Sequence, residues 1–340
     1  MARPDAIAPS ATPQAAARTC APFRHEALFY ADGNRGFVEG TLALVRGALA
    51  TDAGVLVAVG ATRAAALAEA LGEEAERVSF ADISQLGRNP ARIIPMWRDF
   101  AREHSSGGAD GSETASGAAS TAVLGIAEPV WPGRDAAELT ECERHEALLN
   151  LAFDDGPGWH LLCPYDLDGL DDHVLEAARH THPLLACDGA SRENREYPYV
   201  HEPPRPFAGA LPAPCDPVRE LAFAHGELAQ VRLAIAGWAS ANALGAGRTD
   251  ELVLAVDELA SNSIRHGGGA GTLSWWREGE TLLCEVRDAG WIQAPLVGRV
   301  RPSIDASSGR GVWLVNQLCD LVQIRSAPAG SVVRVHMRLG

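Results

Sequence analysis

The chain has 340 residues, and 29 basic against 44 acidic side chains leave a formal net charge of −15. That balance excludes broad, non-specific attraction to nucleic acid or anionic lipid and suits basic or uncharged protein partners. The sequence contains no lysine, which excludes Schiff-base chemistry, a Walker-A lysine and the strand lysine of eukaryotic-type protein kinases.

At this length two domains are expected, each large enough to bury its own core. No apolar run approaches the ~20 residues of a membrane span. Residues 1–20 have no apolar h-region and read as a disordered tail rather than a signal peptide. The cysteines Cys20, Cys142, Cys163, Cys187, Cys215, Cys284 and Cys319 are scattered and form no C-x-x-C. Reduced thiols in the cytoplasm fit that pattern better than a disulfide framework or a zinc site.

In chain order, Val55–Val59 is a short apolar run followed by Gly60 and an Ala-rich helical stretch at 62–72. The small polar residues 104–120 predict a flexible loop. Residues 121–126 read as a second buried strand, 141–153 as a helix, and 159–163 as a third strand ending at Pro164. Buried strands alternating with helices predict an α/β domain with a largely parallel sheet. The turn Gly60-Ala-Thr-Arg-Ala lacks the glycine spacing and lysine of a phosphate loop, so this domain is not read as an NTPase. His25, Tyr30, His145, Cys163 and His182 are candidates for lining a ligand or metal pocket. None has ligand-like spacing, and they are read as core groups satisfied by backbone partners. His145-Glu146 resembles the start of a histidine-kinase phosphoacceptor, but the downstream proline and the long helical hairpin are missing.

Several blocks of this half resemble the MEDS sensory domain: residues 23–30 (FRHEALFY), 87–92 (GRNPAR) with Trp97, 128–133 (EPVWPG), 144–149 (RHEALL) and 163–166 (CPYD). The resemblance implies a RecA-like sensor fold over 21–197. Residues 198–217 hold seven of the 21 prolines and predict an interdomain linker.

The second domain is expected at 218–340. Residues 218–244 carry a helical pattern, and a second helix at 251–266 is expected to start from Thr249 or Asp250 as N-cap and to stop at Gly267–Gly269. At ~100° per residue, Glu258, Asn262 and His266 fall on one arc, opposite Leu252, Val256 and Leu259. A strand pair at 271–276 and 281–286 runs into Asp288-Ala-Gly290. A loop leads to Ser308-Gly-Arg-Gly311, then a helix at 312–319 and two closing strands at 321–326 and 331–339.

This order of E-x-x-x-N helix, D-x-G, loop and G-x-G opening a helix resembles the GHKL ATPases, and most closely their RsbW-like anti-sigma factor serine kinases. The resemblance implies an α+β Bergerat fold, a two-layer sandwich that binds ATP and Mg²⁺. It implies Glu258 as catalytic base and Asn262 as the Mg²⁺ ligand. His266, Asp288, Gly290, Gly309, Arg310, Gly311 and Ser331 are the further nucleotide-binding positions it implies. Asp288 would take the adenine amino group, and Arg310, Arg299 or Arg301 the phosphates. The partners implied are a sigma factor and a STAS-domain anti-anti-sigma protein, with dimerisation through the ATP-binding domain. The family's D-x-G-x-G is here Asp288-Ala-Gly-Trp-Ile292, without its second glycine. That departure leaves a non-catalytic, partner-sequestering module as the alternative.

Overall fold

The computed structural model describes residues 23–105, 123–154, 158–187, 189–198, 207–214, 217–303 and 309–339. The predicted tail, nearly all of the 104–120 loop, parts of the proline-rich linker, Cys20, Cys215 and Ser308 lie outside them.

The first half runs β1 (Arg24–Tyr30), α1 (Gly33–Ala50), β2 (Gly54–Val59), α2 (Ala61–Leu71), β3 (Ser79–Asp82), α3 (Ile83–Leu86), α4 (Ile93–Ser105), β4 (Val123–Ala127), α5 (Ala136–Ala152), β5 (His160–Asp166), α6 (Asp172–Thr181), β6 (Leu184–Cys187) and β7 (Ala190–Glu193). The strands form one seven-stranded sheet, ordered β3-β2-β4-β5-β1-β6-β7. All its pairings are parallel except the last, between β6 and β7. Strands β2 and β4 are apolar along their length because both faces of the sheet are covered. Phe37, Val45 and Leu67 from α1 and α2 pack on one cluster, and Trp97, Leu148 and Leu175 from α4, α5 and α6 on the other.

Two boundaries differ from the sequence expectation. Strand β5 passes through Pro164 to Asp166, and every residue in it is buried. Its ladder with β4 ends at Leu162, so Pro164 falls where β5 keeps only β1 as a neighbour and a missing N–H costs least. Helix α5 starts at Ala136, before the predicted 141, on a capping box of Asp135 and Glu138.

The second half runs β8 (Arg219–Ala224), α7 (Leu228–Ala241), α8 (Ala246–His266), β9 (Ala270–Glu278), β10 (Thr281–Asp288), α9 (Arg310–Leu318), β11 (Leu321–Ala327) and β12 (Gly330–Arg338). Its sheet is antiparallel and ordered β11-β12-β10-β9-β8. The predicted helix at 218–244 is corrected here: its first part is strand β8, paired with β9. Leu221 and Phe223, two residues apart, meet the core, a strand period hidden within an apolar stretch. Helix α8 begins about one turn before the predicted start. Gly245 is its N-cap, and Thr249 lies inside the helix, its hydroxyl donating to Leu244 O at 3.2 Å. Val256, Leu259 and Ala260 seat α8 against the sheet.

The two halves are joined by arginines. A 3₁₀ turn at Pro90–Arg92 precedes α4. Arg92 Nε donates to Asn316 O, and its Nη2 to Gln317 O and Cys319 O, each at 2.8 Å. Asn89 Nδ2 donates to both oxygens of Asn316 at 3.1 Å. From the other side, Arg338 bonds Glu138 at 2.7 Å, and Arg325 pairs with Glu141 at 2.9 Å with both side chains buried. The described part of the linker is docked, since Phe207 O accepts from Ser326 N and Pro212 O from Arg334.

Breaking a buried pair strands a charge, so Arg325→Ala is expected to destabilise the chain by about 3–5 kcal/mol in urea unfolding. The apolar double replacement Arg325→Met with Glu141→Leu is expected to recover most of that loss. A single-mutant cost below about 1 kcal/mol, as for exposed pairs, would contradict the buried contact.

Candidate functional site

A cavity of about 220 Å³ lies between the end of α8, the end of β10 and the start of α9. Seven of the residues singled out from sequence line it: Asn262, His266, Asp288, Gly290, Gly309, Gly311 and Ser331. They come from separate segments brought together by the sheet and the seating of α8. Strand register places Ser331 of β12 directly opposite Asp288 of β10.

Glu258 stands at the border. A Cβ built on Gly311 would lie 2.8 Å from Glu258 Oε2 and 3.0 Å from Asn262 Nδ2, so a side chain here would push both groups aside, and glycine leaves them in place. Arg265 Nη2 is 3.3 Å from Asn262 Oδ1 and 4.0 Å from Glu258 Oε2. Helix α9 starts from Gly309 at φ +85°, a left-handed conformation natural to glycine, and no side chain caps it. Its first-turn N–H groups and dipole make the cavity's end attractive to an anion.

Asp288 is held rigidly. Its Oδ2 accepts from Ser263 Oγ at 2.6 Å and its Oδ1 from Gly290 N at 2.8 Å. Gly290 O in turn accepts from Ser331 Oγ at 2.7 Å. Ser331 and Ser326 hydroxyls are 2.6 Å apart, and Ile292 N donates to Ser326 Oγ at 2.7 Å. The sequence reading missed Ser263, although it lies on α8 one residue after Asn262. Its helical position alone does not reveal that Asp288 ends opposite it.

The arginines divide differently from the expectation. Arg310 opens α9 and reaches Ser303 O at 3.4 Å. It is not among the residues lining the cavity. Arg301 pairs with Asp99 of α4 at 3.1 Å. Arg299 is buried, with burial pulling its pKa down and Glu141 and Cys142 acting against that shift. Both Arg299 and Arg301 therefore face the first half rather than a phosphate, because the segment carrying them packs between the halves.

In the first half, the start of α2 after β2 is bound by carboxylates at the ends of neighbouring strands through Arg63. Arg63 donates to Glu128 and to Asp166, both at 2.7 Å, and Tyr30 donates to Glu128 at 3.0 Å. Burial, against the pull of Arg63, pushes the Glu128 carboxyl up to about 7. His145 is buried in α5, and burial takes its pKa down to about 3. It does not sit on an exposed helix pair as a phosphoacceptor would.

A Cβ on Gly267 would meet Asp288 Cγ at 2.4 Å. Gly267→Ala is expected to lower stability by about 1–3 kcal/mol through overpacking at this corner. Thermal unfolding reads the effect, and an unchanged midpoint would show that the approach is looser.

A family model described as MEDS, the MEthanogen/methylotroph, DcmR Sensory domain, matches residues 24–183. One described as the histidine kinase-like ATPase domain matches residues 221–337. No curated protein matches the chain. Among solved structures, the RsbU and RsbW domains of Rv1364c from Mycobacterium tuberculosis align at 15% identity and a TM-score of 0.29, over 36% of this chain and 33% of that one. The Acinetobacter baumannii histidine kinase AdeS aligns at 12% identity and a TM-score of 0.23, over 36% of this chain and 68% of that one. The chain thus spans about a third of the first of these structures. Among the described residues no helix is long and apolar enough to cross a membrane. The chain joins a MEDS sensory domain to a histidine kinase-like ATPase domain.

Proposed function

We propose that this chain is a cytoplasmic anti-sigma factor with ATP-dependent serine/threonine kinase activity toward a STAS-fold anti-anti-sigma protein, controlled by its N-terminal sensor. In this reading 21–197 is a RecA-like sensor, 198–217 a linker, and 218–340 a Bergerat-fold kinase that also holds a sigma factor. The observation that carries it is the convergence of seven motif residues on one cavity.

The residues present fit Mg²⁺–ATP. Gly311 leaves open the corner between Glu258 and Asn262, and an amide oxygen beside a carboxylate is a hard donor set suited to Mg²⁺. When bound, Mg²⁺–ATP supplies the phosphoryl group. The chain's own part is positional. Asp288, fixed by Ser263 and the Gly290 N–H, accepts a hydrogen bond from the adenine amino group. The Asn262 amide oxygen holds the cation, and the first-turn N–H groups of α9 face the phosphates. Glu258 takes the proton of the attacking hydroxyl. Arg310 is the lid cation in this reading, its planar fork suited to phosphate oxygens.

Glu258→Gln is expected to lower phosphorylation of the cognate partner by about 10²–10⁴-fold with ATP affinity nearly unchanged. Asn262→Ala is expected to remove Mg²⁺-dependent nucleotide binding. Unaltered phosphotransfer in either variant would refute the assigned roles.

Control by the sensor is supported by the Arg92 contacts. The helix whose start borders the cavity has its end carbonyls held by the other domain. Arg92→Ala is expected to change ATP affinity by about 5-fold or more. Equal affinity in variant and parent would rule out α9 as the link.

A specific observation favours the second reading, a partner-sequestering module without catalysis. Trp291 and Ile292 line the cavity where the family motif continues to its second glycine, and Trp291 is half exposed. Calorimetry separates the two readings, since no Mg²⁺–ATP binding at millimolar nucleotide would leave sequestration alone.

A further inference from the structure

Four buried side chains from separate elements of the sensor domain converge: His25 of β1, Glu146 of α5, Cys163 of β5 and His182 just after α6. One donor atom from each lies within 4.8 Å of all the others. His25 Nε2 is 3.0 Å from Glu146 Oε2, His182 Nε2 is 3.2 Å from the same oxygen, and Cys163 Sγ is 3.5 Å from His25 Nε2.

Proton accounting shows what the cluster lacks. Asn150 Nδ2 donates to Thr181 O at 2.9 Å, which fixes the amide and turns its Oδ1 toward His25 Nδ1 at 3.1 Å. The carboxamide oxygen only accepts, so His25 carries its proton on Nδ1 and presents the Nε2 lone pair to the cluster. His182 Nδ1 lies 2.8 Å from Ala178 O, also a pure acceptor, and so His182 too presents its Nε2 lone pair. Two nitrogen lone pairs therefore face one carboxylate oxygen in a buried space. Among the described residues Glu146 Oε1 has no hydrogen-bond partner, and His182 Nε2 has only the Glu146 contact at 3.2 Å. The Cys163 S–H, 3.5 Å from His25 Nε2, can satisfy only one of these acceptors, and the others are served by a cation among them.

We propose that His25, Glu146, Cys163 and His182 form a mononuclear site for a divalent transition metal of the zinc class. Two imidazoles, a carboxylate and a thiolate are a donor set for such an ion and not for Mg²⁺ or Ca²⁺. Tetrahedral bonds to nitrogen and sulfur put neighbouring donors roughly 3.3–3.6 Å apart, within a few tenths of an ångström of the three contacts above, while all four donor atoms lie within 4.8 Å of one another. Each histidine donates its far N–H to an oxygen, the outer-shell arrangement of metal-bound histidines. Burial keeps His25 neutral, with its pKa down to about 4, and pushes the Cys163 thiol up. Binding therefore releases the thiol proton to solvent. A cavity of about 260 Å³ lined by Glu146, Tyr165, Ala178 and Thr181 offers the ion a way in.

The test uses the full chain, stripped with chelator, dialysed and titrated with Co²⁺. One equivalent is expected to bind, with the visible bands of a four-coordinate ion and a near-ultraviolet thiolate-to-cobalt band, both bleached by Zn²⁺. Cys163→Ser is expected to lose the thiolate band. Asn150→Ala, which removes the partner of His25 Nδ1 but none of the four ligand atoms, is expected to keep that band while weakening binding about 10–100-fold. Circular dichroism reports whether each variant folds. Should Cys163→Ser not fold, the parent spectrum and the Asn150→Ala titration decide. No stoichiometric Co²⁺ uptake, uptake without a thiolate band, or a thiolate band that survives in folded Cys163→Ser would overturn the site and leave a proton shared between His25 and Glu146.

Discussion

The last carbonyls of a helix have no partners within it, and in α9 they are bound by a guanidinium from the other domain. Arg92 reaches Asn316 O, Gln317 O and Cys319 O at once, and a positive charge there also complements the helix dipole. The opposite end of α9 begins on Gly309 at the cavity. Asn316 is tied as well to Gly298 O at 3.0 Å, in the segment between β10 and α9. Cavity wall, the segment between β10 and α9 and the first domain thus meet on one short helix.

Composition makes this junction possible. Arg88, Arg92, Arg301, Arg325 and Arg338 all cross between the halves, and the chain has no lysine to offer instead. An ammonium is a compact point donor, whereas a guanidinium spreads its N–H groups over a planar fork and is more weakly hydrated. Three carbonyls on one side chain, and a buried pair such as Arg325–Glu141, both draw on that geometry. With an excess of acidic groups on the chain, carboxylates to receive these arginines are plentiful.

Helix α5 connects the other features. Glu138 in its first turn closes the capping box and holds Arg338, while Glu141 pairs with Arg325. Glu146, farther along, enters the cluster with His25 and His182. One rigid element therefore carries contacts to the ATPase domain and to the buried donor cluster.

Much of this was legible in the sequence, because its signals are local. Alternating buried strands and helices announce a parallel sheet, and the ordered Glu258–Asn262, Asp288–Gly290 and Gly309–Gly311 pieces marked the cavity. The two-residue period of β8 is masked by the helical pattern beside it, whereas the start of α5 is spelled by its own capping box, Asp135-Ala-Ala-Glu138. What only the tertiary structure decided is which distant groups meet. Arg299 and Arg301 turn toward the first domain, Ser263 fixes Asp288, and Glu146 joins a histidine, a cysteine and a second histidine from three other segments. Helix and strand periods are written along the chain, but a pair such as His25 and Glu146, 121 residues apart, meets only through the packing of whole elements. Spacing in the sequence has no bearing on that distance.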